Sequence, residues 1–204
     1  MVPDAPQLET ALIVLVPLRV EHAVEMQSVL ADPALGEFTG DTPPTLAELE
    51  ARYRRQTRGH SPDGTSPDSY SPDGTSPDSH SPDGISPDSI EQWLNWVIAE
   101  RPGNALVGFV QATVREVDAR AELAWVVGTS WQGRGYASAA AVAVLEWLRS
   151  VGVREFEAHI HPANLASERV ARRLGMQPTA ELVDGERRWV RVVAATELVD
   201  GERR

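Results

Sequence analysis

The sequence predicts an α/β fold, a mixed and mostly antiparallel sheet with helices on both faces. Three observations predict it. A run of three strands, opened by Gln92–Glu100 and closed by Ala124–Gly128, has no helix between its members, which suits antiparallel neighbours. Two striped helices then alternate with a strand, so crossovers cover the sheet. A hairpin closes the order, with Asp184-Gly185 as its turn.

The elements can be justified in chain order. The apolar run Ala11–Val16 is too short to cross a membrane and follows no basic stretch, so it does not read as a signal peptide. Thr45-Leu-Ala-Glu48 behind Pro43-Pro44 is a capping box that starts a helix, which should run to about Gly59. Gln92–Glu100 reads as a strand anchored by Trp93 and Trp96. Ala137, Ala140, Ala141, Val144, Leu145 and Leu148 form one helical stripe, and Gly152 stops it. Phe156–His161 alternates as a strand. Asn164 caps the next helix, striped by Val170, Ala171 and Leu174 and ended by Gly175. Trp189–Val193 is the returning strand of the hairpin.

One domain is expected over residues 1–204, interrupted by an insert. Residues 61–90 are six copies of Ser-Pro-Asp-Gly/Ser-x. Proline at every fifth position forbids a helix, and almost no apolar surface offsets the entropy of ordering. The segment reads as a flexible insert between the second helix and the second strand. No carboxylate loop with calcium spacing occurs in it, and its Ser-Pro steps are candidate phosphorylation sites. The octapeptide Glu181–Arg188 recurs as Glu197–Arg204, where no strand follows, so 195–204 should be a frayed tail.

Composition narrows the chemistry. The absence of cysteine excludes disulfides, cysteine metal sites and a cysteine acyl-enzyme, and is compatible with the expected cytoplasmic address. A net charge of −11, or about −5 outside the repeat, argues against nucleic acid as a partner. No membrane partner is expected. All 19 basic residues are arginine, so the protein has no lysine side chain to modify.

The most informative segment is Trp131-Gln-Gly-Arg-Gly-Tyr-Ala137, at a strand-to-helix junction. Gly133 and Gly135 permit a sharp turn and close approach by a ligand. The amides opening the next helix lack partners inside it and sit at the positive end of its dipole, which suits a phosphate. Arg134 adds a permanent cation. The segment is neither a Gly-x-Gly-x-x-Gly fingerprint nor a P-loop.

Gln132-x-x-Gly135-x-Ala137 resembles the pyrophosphate-binding loop of the GNAT acetyltransferase superfamily. Asn164-x-x-Ser167 followed by Leu174-Gly-Met176 resembles a second signature of that family. The likeness extends to Leu15–Ala23, Leu106–Val110 and Ala121–Trp125, and is similar to the branch that acetylates ribosomal-protein N-termini. It covers most of residues 11–194 apart from the repeat. The resemblance implies acetyl-CoA as co-substrate, without a metal, and an amine acceptor. Family members often pair as homodimers; these residues say nothing of oligomeric state.

Acetyl transfer to an amine needs a neutral nucleophile, so a base helps. Glu122, on the face of its strand shared with Ala124 and Val126, is the candidate base; a salt-bridged surface glutamate is the alternative. The resemblance gives Asn164 a cofactor contact and Ser167 the role of proton donor to the thiolate, unless both only cap the helix. No tyrosine is present in that helix to serve as the acid. It also implies that backbone groups of Trp125, Val126 and Val127 meet the pantetheine amides. The amides of Gln132, Gly133, Arg134, Gly135, Tyr136 and Ala137 would then hold the pyrophosphate. Arg172 and Arg173 are within reach of an adenosine phosphate or form a solvated face. His159 and His161 should share a strand face, and two histidines without a third ligand do not make a metal site. His22 is expected on the first helix. Trp131 is a candidate shield for the cofactor. The reading is an N-acetyltransferase acting on a protein N-terminal amine. The alternatives are an enzyme for a small amine or antibiotic, and a non-catalytic acyl-CoA-binding or interaction domain.

Overall fold

The computed structural model describes residues 2–38, 41–57, 91–115 and 117–193. The expectations for the repeat at 61–90, for the end of the second helix beyond residue 57 and for the tail at 195–204 lie outside these residues.

Eight strands form one sheet in the order β1-β2-β3-β4-β5-β6-β8-β7. They are β1 (Leu8–Glu9), β2 (Ile13–Pro17), β3 (Glu91–Glu100), β4 (Leu106–Arg115), β5 (Arg120–Val127), β6 (Glu155–Ile160), β7 (Gln177–Val183) and β8 (Glu186–Val192). Every neighbouring pair is antiparallel except β5 with β6. The predicted mixed, mostly antiparallel sheet is therefore present, with the short β1 added at its edge.

Four helices flank the sheet: α1 (Ala23–Val29), α2 (Leu46–Gln56), α3 (Tyr136–Ser150) and α4 (Leu165–Arg173). Helix α2 starts where the capping box predicts. The Thr45 hydroxyl accepts from the Glu48 amide and the Glu48 carboxylate accepts from the Thr45 amide. Helices α1 and α2 cover one face through Met26, Leu49 and Tyr53 against Val97 and Leu106. Helices α3 and α4 cover the other face through Val144, Leu148 and Ala171 against Val110, Leu123 and Phe156. Strand β3 lies beneath both layers, so its residues 92–99 are buried on both sides.

Five of the six α3 stripe residues are buried as predicted: Ala140, Ala141, Val144, Leu145 and Leu148 are at most 1% exposed, while Ala137 in the first turn is partly buried. Burying each larger member contributes about 1.5–3 kcal/mol, which gives the first turn of α3 a firm backing. The β7–β8 hairpin turns at Asp184 (φ 51°) and Gly185 (φ 85°), the paired positive φ that a two-residue turn requires. No described helix is long and apolar enough to cross a membrane.

Candidate active site

Strand β5 hands over to α3 through a short turn at Thr129–Trp131 and then Gln132–Gly135. Gly133 and Gly135 have φ of 77° and 85°. A Cβ on Gly133 would meet nothing within 4 Å, so backbone conformation rather than crowding calls for glycine there. Gly135 is the N-cap of α3 and no side chain caps the helix. The first intrahelical bond is donated by Ala139 to the Gly135 carbonyl. The amides of Tyr136, Ala137 and Ser138 therefore remain available, at the positive end of a 15-residue helix.

Two side chains pin this loop. The Gln132 amide donates to the Val127 carbonyl at 3.0 Å. The Tyr136 hydroxyl donates to Glu100 Oε2 at 2.9 Å, at the end of β3. Tyr136 thus turns its ring inward, and only its amide is free for a ligand. The Arg134 guanidinium donates to the Ser130 carbonyl at 3.1 Å and remains 54% exposed. Trp131 packs against the apolar clusters on both sides of the sheet.

The parallel pair β5–β6 is in register only at Arg120–Glu155, Ala121–Phe156 and Glu122–Glu157. Beyond these rungs the strands part. Residues Leu123–Val127 then pair only with β4, which leaves the β6-facing edge at Trp125–Val127 without a strand partner beside the glycine loop, its Val127 carbonyl taken by the Gln132 side chain. Along β5 the sides alternate as predicted. Ala121, Leu123 and Val127 are buried, while Glu122, Ala124 and Val126 face the opposite way.

Glu122 stands at the point where the strands part. Its Oε1 lies 3.1 Å from His159 Nδ1 on β6. That hydrogen bond raises the His159 pKa, with burial opposing and the Glu122, Glu157 and Glu186 charges adding to the rise. Glu186, at the start of β8, is pushed up by burial. Next to this pair, Arg188 is tied to Glu157, Glu155 and Glu181 at 2.7, 3.2 and 3.3 Å.

Asn164 is the N-cap of α4: its Oδ1 accepts from the Ser167 amide at 3.0 Å. The Ser167 hydroxyl is part-buried and makes no hydrogen bond within the described residues. No hydrogen bond joins Ser167 to Glu122 among the described residues. Arg172 pairs with Glu168 at 2.8 Å and stacks over Trp189, which supports the solvated-face reading over phosphate binding. A cleft beside Val126 is lined by Leu30, Asp32, Leu35, Arg52 and Phe109, among others. Asp32 Oδ2 accepts from the Thr129 hydroxyl at 2.6 Å, which ties the floor of this cleft to the glycine loop and lowers the Asp32 pKa.

Two histidine placements need correction. His22 lies in the 3-10 turn Val20–His22 that precedes α1, because its Nδ1 accepts the Arg19 amide and caps the turn. His161 lies past the end of β6, where its Nδ1 accepts the Ala163 amide and its ring meets Phe38. It therefore shares no strand face with His159. The neighbour of His159 is Glu122, not His161. Strand alternation puts both Glu122 and His159 on the non-core face, but only the β5–β6 register brings them together. Glu186 and the cleft residues Arg52 and Phe109 had no local signal.

Residues 13–177 match the family model described as the acetyltransferase (GNAT) domain. The chain belongs to the GNAT acetyltransferases. Members of this family use acetyl-CoA. The solved structures agree on the fold. A Salmonella typhimurium acetyl transferase, described as modifying the N-terminal serine of 50S ribosomal subunit protein L7/L12, is 15% identical with a TM-score of 0.63, over 91% of this chain and 97% of that one. A ribosomal L7/L12 α-N-protein acetyltransferase in complex with coenzyme A is 17% identical with a TM-score of 0.66, over 92% and 98%. The microcin C7 self-immunity acetyltransferase, in complex with acetyl-CoA and AMP, is 13% identical with a TM-score of 0.63, over 90% and 94%. No curated protein sequence matches the chain significantly. The residues of this GNAT chain fit acetyl-CoA. An uncapped helix start faces an open loop, which suits a diphosphate, and the free edge of β5 suits the amides of a pantetheine arm.

Proposed function

We propose that this GNAT enzyme moves an acetyl group from acetyl-CoA directly to a primary amine, with a protein N-terminal amine as the acceptor. One observation carries the reading: Glu122 lies on the open face where β5 and β6 separate, on the strand that leads through the glycine loop to the uncapped start of α3. In this reading the amides of Gly133–Ala137 hold the diphosphate; the Gln132 main-chain N–H, also expected there, is already donated to the Thr129 carbonyl. The backbone of Trp125–Val127 aligns the pantetheine arm. Bound acetyl-CoA supplies the activated acyl group, and the chain's task is to bring it a neutral amine. Glu122 makes the site basic and draws the proton from the ammonium, through water or a neighbouring side chain. Ser167, held by the Asn164 cap, stands as proton donor to the departing thiolate. The choice of a protein N-terminus rests on the resemblance and on the ribosomal-protein enzymes among the structural neighbours.

A small amine is the second reading. The cleft beside Val126 gives it a place, since apolar Leu30, Leu35 and Phe109 line it next to Arg52. A thiol-release screen against N-terminal peptides, polyamines and aminoglycosides separates the two. Turnover of peptides alone supports the first reading and turnover of small amines alone the second. Binding of acetyl-CoA with no thiol release from any amine would favour a non-catalytic acyl-CoA-binding domain.

A further inference from the structure

Glu122 does not stand alone, and its partner is better suited to the proton. We infer that Nε2 of His159 takes the proton from the acceptor ammonium, while Glu122 holds the imidazole through its Nδ1–H. This deepens the acetyl-transfer reading and rests on it.

The geometry assigns the roles. An ionised carboxylate only accepts hydrogen bonds. At 3.1 Å from Glu122 Oε1, Nδ1 is therefore the ring nitrogen that carries the hydrogen. The neutral ring then has its lone pair on Nε2. Within the described residues Nε2 has no hydrogen-bond partner. The side chain is 23% exposed and Glu122 is 45% exposed, so both border the open face.

The energetics point the same way. A carboxylate free in water holds a proton only below about pH 4.3, whereas a base works best with a pKa near the operating pH. An imidazole starts near 6.5 and is raised here by the Glu122 hydrogen bond. Three carboxylates act on the ring and favour its cation: Glu122 from β5, Glu157 from β6 itself and Glu186 from β8. The neighbouring cations are tied up: Arg188 on β8 pairs with Glu155, Glu157 and Glu181, and Arg115 on β4 and Arg120 on β5 pair with Glu157. The proton balance closes. The ammonium gives one proton to Nε2, and the imidazolium is held by the Glu122 carboxylate until solvent takes that proton. The nitrogen's lone pair is then free for the acyl carbon, and the further proton it loses on forming the amide leaves with the thiolate as thiol.

Nitrogen-15 NMR on the full-length enzyme without ligand tests the assignment directly. The expected result is the Nδ1–H tautomer for His159, titrating above pH 6.5 in the wild type and lower in E122Q. The Nε2–H tautomer in the wild type would overturn the inference. Kinetics give the second readout. H159Q should lose about 10²–10⁴ in kcat, keep coenzyme A binding by calorimetry, and lose the acid limb of its pH profile. H159G should be partly rescued by added imidazole. If H159Q turns over within twofold of wild type with the same acid limb, His159 is only structural. A wild type that acetylates no amine would instead overturn the function on which the inference rests.

Discussion

The two halves of the cleft are built in opposite ways. The half assigned to coenzyme A is backbone from one contiguous stretch, Trp125 to Ala137, whose side chains mostly serve to pin it. The half proposed to meet the amine is side chains gathered from β4, β5, β6, β8 and α2. The first half should tolerate a change of side chain but not a change of φ. The second should behave in the reverse way.

The largest effect should come from the side-chain half. E122Q is expected to lower turnover by about 10²–10⁴ while coenzyme A binding by calorimetry stays at the wild-type value. A parallel loss of binding would mean that the halves are not separable. In the backbone half, G135V forces a β-branched residue to a φ of 85°. Strain of about 1–3 kcal/mol should weaken coenzyme A binding by about 10–100-fold, and R134A should weaken it less. If R134A is the worse of the two, charge rather than backbone geometry governs that half.

Asn164, the N-cap of α4, sharpens the contrast. N164D keeps an oxygen for the Ser167 amide but loses the amide donor. It should hold its melting temperature yet raise the KM for acetyl-CoA about 2–10-fold, the value of one hydrogen bond. N164A should in addition lose about 1 kcal/mol of stability with the cap. An unchanged KM in both variants would reduce Asn164 to a cap alone.

The smallest effect concerns stability. The folded pKa of His159 lies above its unfolded value of about 6.5. Its contribution is therefore complete below pH 6.5 and is lost as pH rises through the folded pKa. Because both partners are partly exposed, about 0–1 kcal/mol is at stake. The melting-temperature gap between wild type and H159Q should be small at pH 5.5 and vanish at pH 8.5. A gap that widens with pH would contradict the pairing.

The same contrast explains what was legible in the sequence. Residues 132–137, the α2 capping box, the α3 stripe and the Asp184-Gly185 turn all declare themselves within a few positions, because the forces that set them are local. Glu122 was identifiable as a candidate from strand alternation. Its pairing with His159 depends on how two strands line up 37 residues apart, and no short-range pattern carries that register. His161 misled for the same reason: alternation does not say that β6 ends at Ile160, one residue before it. The cleft at Arg52 and Phe109 joins a helix to a strand across the sheet face, beyond any sequence period.

The fastening of Tyr136 to Glu100 and of Gln132 to Val127 has a consequence for speed. Both ends of the turn are already bolted to neighbouring strands, so an arriving anion finds its seat prepared and little freedom left to surrender. Capture should then be governed by collision frequency, with no slow rearrangement to wait for.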